Sequence, residues 1–224
     1  MGSNESKEDE KPEYMVTLDP FWIDENEITN VQYGKCISEN TCQPPSKSNQ
    51  LDDPASDRYP IVSVSWNEAL NYCHWAGRRL PSEAEWEKAA RGTDGRSYPW
   101  GNQAPTGDPD NIADRNQCLD WADKNSDDGF EKSSPTGNYP AGASPYEALD
   151  MAGNVWEWVN DWYDPGYYVS VPVQNPAGPL SGERRVARGG SWYNQSYQVS
   201  VFMRDGLNPD YVNDDLGFRC AQNP

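Results

Sequence analysis

From Thr93 to Pro145 the chain shows neither a helical nor a strand period, and this long irregular span limits the possible folds more than any other feature. A compact domain seldom carries so long a connection unless something other than a backbone ladder orders it. Bound ions, buried tryptophans and crosslinks are the available sources. Composition supplies the second: 10 Trp and 13 Tyr stand against 4 Phe and 4 Met, alongside 18 Gly and 19 Pro. That stock predicts a loop-rich fold held by large aromatic anchors, with few long helices. A length of 224 residues suits one domain plus a tail.

The net charge of −18 argues against nucleic acid and against anionic membrane surfaces, both of which need lysine and arginine. The carboxylates either form a solvated acidic surface or in part hold divalent cations. No apolar run approaches the ~20 residues of a membrane-spanning helix, so the domain itself is not expected to be membrane-inserted. Met1-Gly2-Ser3 reads as an expression start standing in place of a removed leader, and residues 1–13 as a disordered acidic tether. The domain proper is then 14–224.

Five cysteines are present. Cys36 and Cys42 flank a short loop, which suits a local disulfide. Cys73 on a predicted helix and Cys220 near the chain end would clamp the C-terminus to the core. Two bridges with Cys118 left over fit an oxidising, extracytoplasmic setting, whereas five reduced thiols would fit a reducing one. No Cys-x-x-Cys pair marks a zinc site.

Residues 14–25 alternate like a strand. A helix is predicted between Asn26 and Asn40 with Thr29 as its cap. Pro60–Ser65 reads as a short strand. Ser65 with Glu68, and Ser82 with Glu85, form capping boxes for two further helices ending at Gly77 and Gly92. Residues 43–60 read as loop, 149–163 as an aromatic turn and strand, and 184–188 as a strand. The run 188–220 opens on Gly189-Gly190 and closes on Leu216-Gly217-Phe218-Arg219-Cys220. Its middle mixes aromatic, amide and acidic residues without a period, which suits recognition better than catalysis.

The phrases FWIDENEITNVQY, YPIVSVSWNEALNYCHWAGRRLPSEAEWEKAARG, YPWGN, LDMAGNVWEWVNDWY, RVARGGSW and LGFRCA, in this order over about 14–222, resemble the formylglycine-generating enzyme (sulfatase-modifying factor) family. The resemblance implies an α+β fold of the C-type lectin type, with short antiparallel strands, two main helices and long ion-stabilised loops. Fold does not carry activity. The family's oxidative chemistry depends on a copper-binding cysteine pair in the C-terminal region, and this chain has no cysteine between Trp192 and Arg219. Related sulfoxide synthases of the fold use iron held by several histidines, and His74 is the one histidine here. The resemblance therefore implies a protein without enzymatic activity and without a redox cofactor.

A third branch of the fold comprises the variable proteins of diversity-generating retroelements, whose 3′ codons are rewritten at template adenines. Residues 188–219 are similar to such a region. Its fixed points would be 188–192, 200–201, 204, 209 and 216–219. Its variable, ligand-binding sites would be Tyr193, Asn194, Gln195, Tyr197, Gln198, Phe202, Met203, Asp205, Gly206, Leu207, Asn208, Asp210, Tyr211, Val212, Asn213, Asp214 and Asp215. Most are reachable from an Asn codon; Gln195, Gln198 and Met203 are not, and need other template codons or belong to the scaffold. Rigid tyrosines among adaptable polar groups follow the logic of antibody paratopes, with Tyr193, Tyr197, Phe202 and Tyr211 as hot spots. The implied partner is a macromolecule, protein or glycan, on another cell or matrix. The implied protein is a monomer held at the cell surface by a lipid anchor.

The resemblance also implies structural calcium. One set would be Asn111, Ile112, Asp128 and Phe130, and the other Asp150, Gly153, Val155 and Glu157, carboxylate and carbonyl oxygens being what this cation prefers. Alternatively, Asp128 and Glu157 satisfy backbone N–H groups and arginines.

Overall fold

The computed structural model describes residues 1–47, 51, 53–106 and 108–224. Parts of the loops expected at 43–60 and 93–145, namely 48–50, 52 and 107, lie outside the described residues. The fold is α+β. Three helices, α1 (Asn30–Ser38), α2 (Trp66–Trp75) and α3 (Glu83–Arg91), each start at a capping box, set by Thr29 with Gln32, Ser65 with Glu68 and Ser82 with Glu85. α3 stops at Gly92, whose φ of 71° favours glycine.

The central sheet holds β2 (Trp156–Trp162), β3 (Arg185–Arg188), β4 (Arg204–Leu207) and β5 (Leu216–Phe218) in the order β4-β3-β2-β5. β3 is antiparallel to both β2 and β4, and β5 joins β2 in parallel. A second, two-stranded sheet pairs β1 (Trp22–Ile23) with β6 (Ala221–Gln222), bringing the two ends of the domain together. Cys73–Cys220 ties the same end to α2, and Cys36–Cys42 closes the turn after α1.

Large aromatics fill the interior as the composition requires. Tyr33, Tyr72, Trp158 and Phe218 pack into one cluster, and Trp86, Met151, Val159 and Val186 into another. Two of the buried indoles find main-chain acceptors: Trp66 Nε1 donates to Val159 O at 2.8 Å, and Trp158 Nε1 to Val64 O at 3.0 Å. Arg185 lies between the rings of Trp66 and Trp162, 3.6 and 3.4 Å from their centroids.

Three expectations are corrected. Residues 14–25 yield only β1 and a bridge from Thr17 to Gln174. Pro60–Ser65 forms no strand: Pro60 has no N–H to give, and Ser63 sits at φ 61°, which breaks the extended run. Residues 1–13 do not hang free as a tether. Gly2 N donates to Glu87 at 2.9 Å, Tyr163 donates to Asp9 at 2.8 Å, Arg91 Nη1 donates to Gly2 O at 2.6 Å, and Glu10 is buried. The segment's polar groups meet Glu87, Arg91, Tyr163 and Arg204 of the domain, so its polarity serves docking rather than disorder.

The span 93–145 is irregular, as read, and much of its order comes from carboxylates that accept backbone N–H groups. Asp114 accepts from Asn116 N at 2.7 Å and Asp128 N at 2.5 Å, and Asp123 from Asn125 N at 2.9 Å. The one cysteine in the span, Cys118, is free and exposed.

Candidate functional site

The C-terminal stretch is held by three buried arginines, at its start, middle and end. Arg188 donates to Val201 O, Phe202 O and Met203 O at 2.8–2.9 Å and to Glu87 at 2.7 Å. Arg204 makes a two-pronged contact with Glu83 at 2.8 and 2.9 Å. Arg219 grips Glu157 at 2.7 and 2.8 Å and donates to Asp24 O, Glu25 O and Leu149 O. All four arginine and glutamate side chains at Arg188, Arg204, Glu83 and Glu87 are essentially excluded from water. Breaking such a pair strands a buried charge, a loss of about 3–5 kcal/mol. Sequence reasoning placed these arginines among the fixed points and missed their acid partners. The signal was the i, i+4 spacing of Glu83 and Glu87 on α3.

Between these arginines the backbone carries two kinds of position. Tyr193, Tyr197, Asp205, Asn208, Asp210, Tyr211 and Asp214 are exposed, Tyr197 by 66%. Gln195, Val212 and Asn213 are half-buried. Others expected at the ligand surface lie elsewhere. Met203 is 7% exposed and packs in the core. Phe202 packs against the second cluster beneath Arg91. Leu207 packs against the first cluster. Gly206 faces the Tyr163 ring so closely that a Cβ would meet it at 2.4 Å. Asp215 is buried and accepts from Ser191 Oγ at 2.8 Å, and burial raises its pKa. Asn194 closes a turn by accepting from Ser191 N and Oγ, both at 3.0 Å. Gln195 and Gln198 cap one another's ends of a 3-10 turn over Ser196–Gln198. Gly190 has φ 74° and a Cβ there would lie 2.7 Å from Val199, so the glycine pair does allow a close approach.

One side of the exposed set abuts the irregular loop. Ala113 N donates to Asn194 O at 2.9 Å, Gln117 Nε2 to Trp192 O at 3.2 Å, and Trp121 Nε1 to Tyr193 O at 3.4 Å. The Trp121 and Tyr193 rings meet edge to face at 5.2 Å. Lys132 lies over Trp192 and pairs with Asp214 at 2.7 Å.

Each candidate calcium set combines two side chains with main-chain carbonyls. Among the described residues, no three His, Cys, Asp or Glu side chains gather as a metal site. In the first set Asp128 accepts from Ile112 N at 3.1 Å and Phe130 N at 2.8 Å, and burial raises its pKa to about 7. Asn111 Oδ1 is buried with no hydrogen-bond partner among the described residues. In the second set Asp150 Oδ1 is likewise buried and unpartnered, and burial raises its pKa to about 6. Glu157 is taken up by Arg219 and by Trp86 Nε1 at 2.9 Å. Both sets thus hold an acceptor that a hard cation would satisfy, and the first keeps more of its oxygens free of cationic partners.

A family model described as the sulfatase-modifying factor enzyme 1-like domain matches residues 1–224. The formylglycine-generating enzyme of Streptomyces coelicolor is 41% identical over 177 residues, 74% of this chain and 53% of its own length. The inactive C-alpha-formylglycine-generating enzyme 2 of Mus musculus is 39% identical over 175 residues, 73% of this chain and 49% of its own length. The chain thus spans about half the length of these curated relatives. Treponema denticola variable protein 1 superposes with a TM-score of 0.80 at 22% identity, covering 100% of this chain and 91% of that one, a likeness of fold. By sequence, the chain belongs to the sulfatase-modifying factor enzyme 1-like family.

Proposed function

We propose that this protein is a surface-displayed ligand-binding member of its family, without enzymatic activity, whose C-terminal stretch varies at its exposed positions. One observation carries the reading: between Arg188 and Arg219, exposed residues alternate with positions fixed by buried arginines, and no cysteine occurs among them. Such a frame lets side chains at 193, 197, 208, 210 and 211 change without touching the core. Tyr193, Tyr197 and Tyr211 supply broad rigid contacts, and the neighbouring amides and carboxylates adapt to the partner. Calcium bound near Asn111 and Asp128, or near Asp150, would crosslink the irregular loops that carry this surface. The partner is a macromolecule on another cell or matrix, and the protein acts as a monomer on a lipid anchor outside the cytoplasm. A glycan and protein array probed with the wild type and with Tyr197→Ala/Tyr211→Ala tests this. Binding lost in the variant supports it; strong binding of a mono- or disaccharide, unmoved by the variant, points to an ordinary lectin.

The 41% identity to a formylglycine-generating enzyme favours a second reading, an oxidoreductase of that type. Copper-supplemented assays of cysteine oxidation in a sulfatase-motif peptide decide between them. Any turnover would establish the second reading.

A further inference from the structure

We infer that Trp121, which lies outside residues 188–219, is a constant anchor of the ligand surface, and that the partner it takes is a protein segment rich in arginine or lysine. The inference rests on the ligand-binding reading above and adds to it a fixed element and a partner chemistry. The loop 113–121 donates to the C-terminal stretch at three successive residues, and these acceptors are main-chain carbonyls, Trp192 O, Tyr193 O and Asn194 O; in return Gln195 Nε2 donates to Trp121 O at 2.8 Å. The first three contacts do not depend on which side chains stand at 193 and 194, and the fourth uses Gln195, which the codon pattern sets apart from the reachable sites. A wall fixed in this way keeps its place while the neighbouring side chains change. That wall still exposes 43% of Trp121, beside a Tyr193 exposed to the same extent. A large aromatic left half in water by a loop tied down through these hydrogen bonds is held out rather than unable to fold in.

Charge decides the partner. The exposed charged residues of the stretch, Asp205, Asp210 and Asp214, are all acidic. Asp120, next to Trp121, is exposed and acidic too. Two lysines reach this face, and both are engaged: Lys132 pairs with Asp214 and stacks on Trp192, and Lys124 Nζ donates to Gln117 O and Leu119 O at 3.1 and 2.8 Å. With a net charge of −18 behind them, the half-exposed faces of Trp121 and Tyr193 offer a cation both long-range attraction and a cation–π contact. A neutral glycan would use the rings and leave the acids without a role.

Fluorescence anisotropy with a labelled peptide of alternating arginine and glycine tests this, with a glutamate–glycine peptide and a chitin oligosaccharide as comparators. The wild type should bind the arginine peptide and neither comparator. Trp121→Ala should raise the Kd at least about fivefold, as loss of a hot-spot residue does. Trp121→Phe, which keeps a ring, should recover most of the affinity, and Glu183→Gln, which removes one negative charge remote from Trp121, should leave the Kd within about twofold. Failure of the arginine peptide to bind, binding of the oligosaccharide instead, or a Kd untouched by Trp121→Ala overturns the inference. If Tyr197→Ala and Tyr211→Ala weaken the peptide while Trp121→Ala does not, the anchor is wrong and the ligand-binding reading stands. If none of the three moves it, both fall.

Discussion

Arg219 holds both carboxylate oxygens of Glu157, at 2.7 and 2.8 Å, with neither side chain accessible to water. Glu157 sits in the middle of the sheet on β2, and Arg219 directly follows β5, its parallel neighbour. The contact therefore fixes where the C-terminal stretch leaves the fold. It also occupies a side chain that the family resemblance assigns to calcium. Glu157→Gln keeps the shape and leaves Arg219 buried without its counter-charge. Urea unfolding should show a loss of about 3–5 kcal/mol. A loss below about 1 kcal/mol, the value of an exposed pair, would mean that the contact does not hold the exit.

Fixed and exposed positions should respond oppositely to substitution. Gly206→Ala drives a methyl group into the Tyr163 ring and should cost about 1–3 kcal/mol. Asn208→Tyr and Tyr211→Asp, on exposed side chains, should stay within about 0.5 kcal/mol. Thermal unfolding of the three variants is sufficient to compare them.

Much of this arrangement was legible in the sequence. The three helix caps are local, and each stands at Thr29, Ser65 or Ser82 as read; the boxes at Ser65 and Ser82 were legible, and the one that Gln32 completes at Thr29 was not read. Both disulfides follow the predicted pairing. The short strands β4 and β5 were not legible: β5 is buried at all three residues, and β4 alternates in burial but puts an arginine and a glycine on its buried side, so neither carries an alternation of apolar and polar residues. Nor was the burial of Met203, Gly206 and Asp215, because their neighbours Lys7, Tyr163 and Ser191 come from distant parts of the chain or from the opposite end of the stretch. The codon pattern separated Met203, Gln195 and Gln198 from the other sites, and these are a core residue and a mutually capping pair. It could not separate Gly206, whose codon can change but whose place beside Tyr163 cannot accept a side chain.

The two disulfides should differ in weight. Cys73–Cys220 spans 147 residues and Cys36–Cys42 spans 6. Loop-closure entropy favours the long crosslink by about 2–3 kcal/mol. Cys73→Ala/Cys220→Ala should therefore lower the midpoint of denaturant unfolding far more than Cys36→Ala/Cys42→Ala.

Asp161 gives the stability a pH dependence. Its carboxylate accepts from Glu83 N at 2.8 Å, at the start of α3, and burial, then the charge of Glu83, raises its pKa. A raised folded pKa means that the folded state holds the proton more tightly than the unfolded chain does. The stabilisation is present below the ordinary carboxylate range and is lost as pH rises through the folded value. From about pH 5 to about pH 9 the wild type should lose more stability than Asp161→Asn, whose amide oxygen still accepts the Glu83 N–H. Parallel pH profiles for the two proteins would contradict this.

Calcium should act on the loops rather than on the sheet. Asn111 Oδ1 and Asp150 Oδ1 are buried acceptors awaiting a donor or a cation. Added Ca²⁺ should raise the Tm and a chelator should lower it, with Asp128→Asn reducing the response. An unchanged Tm across millimolar calcium would remove the ion from the account.

The most direct test of the central claim is deep sequencing of the codons for residues 188–219 across a growing population of the source cells. Replacements should concentrate at exposed positions such as 193, 197, 208, 210 and 211, and spare Arg188, Arg204, Gly206 and Arg219. A stretch without replacements, or with replacements spread evenly over exposed and buried positions, would contradict the account.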